Sequence, residues 1–168
     1  MYWYPLRYRY LHIRKWKEDI WWIYLPIFQM IWLKVHWQTI RENLDKVGLF
    51  GGHTLRRHTD IQLMVLKSRL TKEDIRYATS YWDIKVAAAV TSGLMHKFYD
   101  SEIVFWLKSS SSDCISLIGH FPQTIGYGFR KGEERLNENL RKACLVLVKD
   151  PQADWGFRIL TSYPMFEW

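Results

Sequence analysis

The sequence predicts an α+β fold in which N-terminal helices are followed by an antiparallel sheet. Between positions 59 and 107 apolar residues recur at helical spacing, with hydroxyls or carboxylates standing just before each run. From Cys114 onward the apolar runs become short and β-branched, separated by Gly, Pro and Asp clusters. The last two runs, 143–148 and 157–163, flank Asp150-Pro151-Gln152-Ala153-Asp154-Trp155-Gly156, a turn composition that pairs them as a hairpin. Helices grouped ahead of strands argue against a βαβ sheet.

Taken in order, Thr59 or Asp60 is expected to cap a helix through Ile61, Leu63, Met64, Leu66 and Leu70. Thr71-Lys72-Glu73-Asp74 has the shape of a capping box, with a carboxylate three positions after a hydroxyl. Asp83 precedes an alanine-rich helix over 84–98, and Asp100 precedes a short one carrying Ile103, Phe105, Trp106 and Leu107. The serines at 109–112 form a polar loop, after which strands are expected at 114–121, 124–129, 143–148 and 157–163. Gly126-Tyr127-Gly128 inside a β-like run fits a bulge or a close strand crossing better than a phosphate cradle.

At 168 residues the chain fits one domain, or one domain with an appendage. A net charge of +7 suits an anionic partner, a nucleic acid or an acidic membrane surface. Residues 1–50 hold eight Lys/Arg against four Asp/Glu, and residues 51–168 hold sixteen against thirteen, so the shorter part carries the larger excess. Six of the ten tryptophans also lie in residues 1–50, which places a composition break near the hinge-like 48–52. The expected division is therefore an aromatic, basic, helical segment at 1–50 and a domain at 51–168.

The run 20–35, IWWIYLPIFQMIWLKV, falls short of the roughly 20 apolar residues that span a bilayer and is broken by Pro26, Gln29 and Lys34. It lacks the aliphatic stretch and small-residue cleavage site of a signal peptide. An interfacial segment contacting a membrane surface, a helical hairpin broken at Pro26, or a remnant of a larger upstream region all fit it. Cys114 and Cys144 have no metal-site spacing and are expected as buried free thiols, with a single bridge as the alternative.

Walker, HExxH, CxxC and GxSxG patterns are absent from the sequence. The acid pairs Glu73/Asp74 and Glu133/Glu134 sit in polar, turn-like settings and are expected to be solvated. His58 differs: it stands beside Arg56 and Arg57 ahead of a helix, where cations and N–H groups favour an anion, and it titrates near neutrality. Arg69, eleven positions on, is three helical turns away and could project to the same side. In a strand over 157–163, Thr161 and Tyr163 share one face. A histidine, an arginine and two hydroxyls make up a metal-free set for attacking a phosphodiester. Each of these residues alone is more often structural.

The phrases GGHTLRRHTD…LKSRL, ATSYWD and ACLVLVKD…GFRILTSYP resemble the ribonuclease A-like toxin domain at the C-termini of contact-dependent growth inhibition (CdiA-type) proteins, over roughly 51–164. Thr59 stands where valine is usual in that family, and residues 1–50 have no counterpart in it. The resemblance implies a cofactor-free, metal-independent endoribonuclease shaped like pancreatic ribonuclease A without its disulfides. It implies catalytic roles for His58, Arg69, Thr161 and Tyr163; the residues themselves offer His53 or Tyr163 as the second proton-transfer group, and the basic Arg56 and Arg57 for binding the substrate. It also implies RNA as substrate (tRNA among the candidates), a cognate immunity protein, and delivery to a target-cell cytoplasm. The alternative is a non-catalytic module that binds a membrane or RNA through an inactive ribonuclease-like fold.

Overall fold

The computed structural model of the protein describes residues 53–153 and 155–167. The aromatic segment expected at 1–50 and the hinge at 48–52 lie outside the described residues. The elements are α1 (Thr54–His58), α2 (Leu63–Lys72), β1 (Tyr77–Tyr81), α3 (Ile84–Phe98), α4 (Val104–Lys108), β2 (Cys114–His120), β3 (Gly126–Arg130), β4 (Asn137–Leu140), β5 (Lys142–Lys149) and β6 (Phe157–Met165). Two antiparallel three-stranded sheets form, ordered β1-β3-β4 and β2-β5-β6. This is the expected α+β class, and β5 and β6 make the expected hairpin.

Asp83 caps α3 as its position predicts, its carboxylate accepting from the Val86 N–H at 2.8 Å. Other local expectations give way to tertiary contacts. Helices do not all precede strands, because Tyr77–Tyr81 enters a sheet between α2 and α3. Its polar sequence, YATSY, becomes a strand by pairing along β3, from Tyr77 opposite Arg130 to Tyr81 opposite Gly126. The polar β4 is likewise recruited by pairing with β3. Gln62, not Thr59 or Asp60, precedes α2. Thr59 instead bridges Tyr81, and Asp60 turns through φ 51° so that its N–H reaches the Tyr81 carbonyl at 3.1 Å. Thr71 lies in the last turn of α2, its hydroxyl donating to the Ser68 carbonyl at 2.8 Å, so the capping box does not form. Asp100 falls in a π-helical turn, Tyr99–Ile103, that carries α3 on towards α4.

One core joins Ala87, Ala88, Val90 and Leu94 of α3 to Leu117, Leu145, Leu147, Phe157 and Ile159 of the β2-β5-β6 sheet. A second sets Leu66 and Leu70 of α2 on Ala78, Tyr127 and Phe129 of the other sheet. Each fully buried Leu, Ile, Val or Phe side chain among these contributes about 1.5–3 kcal/mol. Alternation in β2 turns Leu117 inward and Cys114 outward. Cys114 is therefore exposed, contrary to the expected burial, whereas Cys144 is buried, and both thiols are free.

The sheets are fastened where β1 meets β6. Thr79 Oγ1 donates to the Pro164 carbonyl at 2.7 Å, and the Tyr81 and Ser162 hydroxyls are 2.7 Å apart. The Gly-x-Gly of β3 permits this approach. A Cβ on Gly126 would lie 2.2 Å from the Ser80 carbonyl oxygen and 2.7 Å from Pro164 Cγ. The expected close crossing is present, together with a register shift between Gly126 and Gly128 opposite β4.

β6 is an edge strand, so polar groups on its outer side need partners other than a neighbouring strand. The Leu160 carbonyl takes the His53 N–H at 3.2 Å, and the Ser162 N–H donates to Thr54 Oγ1 at 2.8 Å. Thr54 is fully buried in this contact, which ties α1 to the strand. Thr54→Val keeps the shape and removes the acceptor, leaving a buried N–H unpaired. It should cost about 1–3 kcal/mol in urea denaturation; stability equal to wild type would show that the hydroxyl does not hold α1.

Candidate active site

The pairing of β5 with β6 slips at Leu160: Ile159 lies opposite Leu147, and Thr161 opposite Val146. Leu160 is thus the extra residue of a β-bulge, and every side chain beyond it changes face. Phe157 and Ile159 point to the core, and unbroken alternation would send Thr161 and Tyr163 there too. With the bulge, Ser162 and Pro164 share the core face with Leu145 and Ala143, while Thr161 and Tyr163 share the other face with Val146 and Cys144. The predicted common face of Thr161 and Tyr163 is present, and the bulge decides which face it is.

The α1 helix lies beside that face. Thr54 and His58, one turn apart, are its buried residues. The His58 ring centroid stands 5.2 Å from that of Tyr163 and 5.6 Å from that of His53. His58 Nδ1 is 3.2 Å from the Thr79 carbonyl of β1. A carbonyl can only accept, so Nδ1 carries the hydrogen and Nε2 of the neutral ring keeps its lone pair. Burial lowers the His58 pKa to about 3: the hydrogen bond to Thr79 opposes that fall, and the charges of Arg69, His53 and Arg57 add to it.

Arg69 reaches the site by tertiary packing, not along one helix. The chain is extended at Thr59, the C-cap of α1, and α2 begins only at Leu63. Arg69 Nη1 then donates to the Arg57 carbonyl at 2.9 Å, and its Nε to Glu73 Oε1 at 3.3 Å. Arg57 Nη2 meets Glu73 Oε2 at 2.5 Å. Burial alone would raise the Glu73 pKa, but the charges and hydrogen bonds of Arg69 and Arg57 hold it below the usual value. Glu73 is therefore a paired carboxylate, not the solvated one expected. The Arg-x-x-x-Glu spacing of Arg69 and Glu73 was the local signal for it.

Arg57 thus enters the cluster, whereas Arg56 is exposed on the side of α1 turned away from β6. The Tyr163 hydroxyl bonds the Cys144 thiol. Burial, followed by the nearby Cys144, pushes its pKa well above the ordinary tyrosine value, so it remains a neutral O–H donor. Thr161 is 6% exposed, and its Oγ1 is buried without a hydrogen-bond partner among the described residues. Among the described residues no group of three or more His, Cys, Asp or Glu side chains could hold a metal ion.

Two antiparallel sheets, with a histidine-bearing helix docked on the edge of one, define an α+β domain with a candidate site at that junction. The chain belongs to the bacterial CdiA-CT RNase A domain family, whose model matches residues 52–164. That family is one of toxin ribonuclease domains, as the phrases around His58 and Thr161 led us to expect. The fold is similar to that in a crystal structure of a CdiA-CT/CdiI complex from Y. kristensenii. The TM-score is 0.64 at 24% identity, over 68% of this chain and 100% of that one. No curated protein sequence matches the chain.

The state of His58 has a consequence for stability. Unfolded, the ring takes a proton near pH 6.5; folded, it does so only near 3. Between those values the unfolded chain binds more protons, so stability falls as pH drops, by up to about 1.4 kcal/mol per unit. Urea unfolding at pH 7 and pH 5 should show wild type losing roughly 2 kcal/mol more than His58→Gln. Equal losses would place the acid sensitivity elsewhere.

Proposed function

We propose that residues 51–168 form an endoribonuclease that cleaves RNA by metal-free transesterification, leaving a 2′,3′-cyclic phosphate and a 5′-hydroxyl. The observation that carries this reading is the buried His58, fixed through Nδ1 by a backbone carbonyl and set beside Tyr163, whose strand face also carries a Thr161 hydroxyl with no partner among the described residues. His58 Nε2 takes the proton of the ribose 2′-hydroxyl, and the freed oxygen forms a bond to phosphorus. The bond from phosphorus to the 5′-oxygen breaks, and the leaving oxygen receives a proton from His53 or Tyr163. A bound phosphate gives the forming imidazolium an anionic partner, which draws the basicity of His58 back towards neutrality.

Arg69 uses Nη1 and Nε within the protein and keeps N–H groups for the phosphate, where negative charge grows during attack. Thr161 and Tyr163 donate to its non-bridging oxygens. DNA lacks the attacking 2′-hydroxyl and is not a substrate. The partners that follow are RNA, tRNA among the candidates, and an immunity protein acidic enough to cover a basic site. As a delivered toxin the domain acts in the target-cell cytoplasm, and residues 1–50 are a separate appendage.

Purified protein should cleave RNA with EDTA present, and His58→Ala should lose at least about a hundredfold in rate. Metal-dependent cleavage, or a fully active His58→Ala, overturns this mechanism. Thr161→Val removes a donor while keeping the shape and should lower kcat by about 10²-fold. An unchanged kcat would take Thr161 out of the phosphate site.

A further inference from the structure

Glu73 is out of place at a site built for phosphate. It adds negative charge between the two arginines that an anionic substrate would meet, so electrostatics alone would favour its loss. Its contacts supply a geometric reason to keep it. Its backbone N–H donates to the Arg69 carbonyl at 2.8 Å, which fixes it at the end of α2. One carboxylate oxygen holds Arg69 Nε at 3.3 Å and the other holds Arg57 Nη2 at 2.5 Å. Arg69 Nη1 in turn binds the Arg57 carbonyl, so one carboxylate and one carbonyl grip two corners of the Arg69 guanidinium. Five N–H hydrogens are available on that group, and the two grips engage only Nε and Nη1.

We propose that Glu73 is a positioning residue for cleavage: by holding Arg57 and Arg69 with one carboxylate, it sets the free N–H groups of Arg69 beside His58 before the phosphate arrives. This role rests on the ribonuclease reading. Arginine is long and has many rotamers, and freezing it before binding removes an ordering cost from the reaction. The side chain of Arg69 is only 15% exposed, as a held guanidinium should be. Glu73 touches neither substrate nor reacting atoms; it acts through the arginines.

A positioning role separates from a purely structural one in the kinetics. Glu73→Gln removes the charge and keeps the size. The site becomes more cationic, so KM for an RNA oligonucleotide should stay within about twofold of wild type or fall. The unheld Arg69 loses its aim, and kcat should fall about 10–100-fold. Glu73→Asp keeps the charge with a shorter reach and should recover part of the lost kcat. A Glu73→Gln kcat within about twofold of wild type, or a loss confined to KM, overturns the proposal. If Glu73→Gln does not fold, Glu73→Asp decides by the same split, and a wild-type kcat there overturns it. A wild-type chain that cuts no RNA fells the ribonuclease reading and this role together. An active wild type with an equally active Glu73→Gln fells this role alone.

Discussion

The outer edge of β6 is the constraint on which the rest of the site depends. A strand at the border of a sheet leaves backbone groups facing outward, and buried ones must be satisfied. Among the described residues no further strand covers them. The Leu160 carbonyl, the Ser162 N–H and the Pro164 carbonyl are met by the His53 N–H, Thr54 Oγ1 and Thr79 Oγ1. Pro164 suits such an edge, where its missing N–H costs no ladder bond. Each of these partners also serves His58. His53 and Thr54 start the helix that carries it, and the carbonyl of Thr79 holds its Nδ1. Covering the strand edge and building the histidine site are the same set of contacts.

The bulge at Leu160 divides the strand between the core and the candidate site. Upstream, Phe157 and Ile159 fill the core; downstream, Ser162 takes the inward position and is satisfied by Tyr81. That exchange turns Thr161 and Tyr163 to the other face. It leaves Thr161 Oγ1 buried with no partner among the described residues. A group left in that state costs about 1–3 kcal/mol, a cost that sites for ligands commonly carry. His58 shows a similar compromise: the burial that seats it depresses its basicity, while the Thr79 carbonyl that fixes its tautomer opposes that fall.

Charge is organised on a second layer. Arg57 and Arg69 belong to different helices, and the Glu73 carboxylate together with the Arg57 carbonyl locks them into one unit. Because α2 ends at Lys72 and the chain is extended at Glu73, the carboxylate is placed by the helix terminus itself. The packing of Leu66 and Leu70 on the β1-β3-β4 sheet therefore fixes where Arg69 can reach.

Much of this was open to reading in the sequence. The Asp83 cap, the alanine-rich α3, the hairpin of β5 and β6, and the shared face of Thr161 and Tyr163 follow from cap chemistry and side-chain period, which are properties of near neighbours. The phrases around His58 and Thr161 also sufficed to mark the family. What the sequence could not supply was set by distant pairing. YATSY is polar and became a strand only against β3. Thr59, Asp60 and Thr71 carry capping chemistry, and tertiary contacts or helix position used it otherwise. Glu73 looked solvated because its second arginine lies 16 positions away. The sequence determined which residues carry candidate chemistry and which of them share a face. The tertiary structure decided which face that is and what stands opposite it, because the bond joining Thr54 to Ser162 spans 108 positions and no local pattern encodes such a partner.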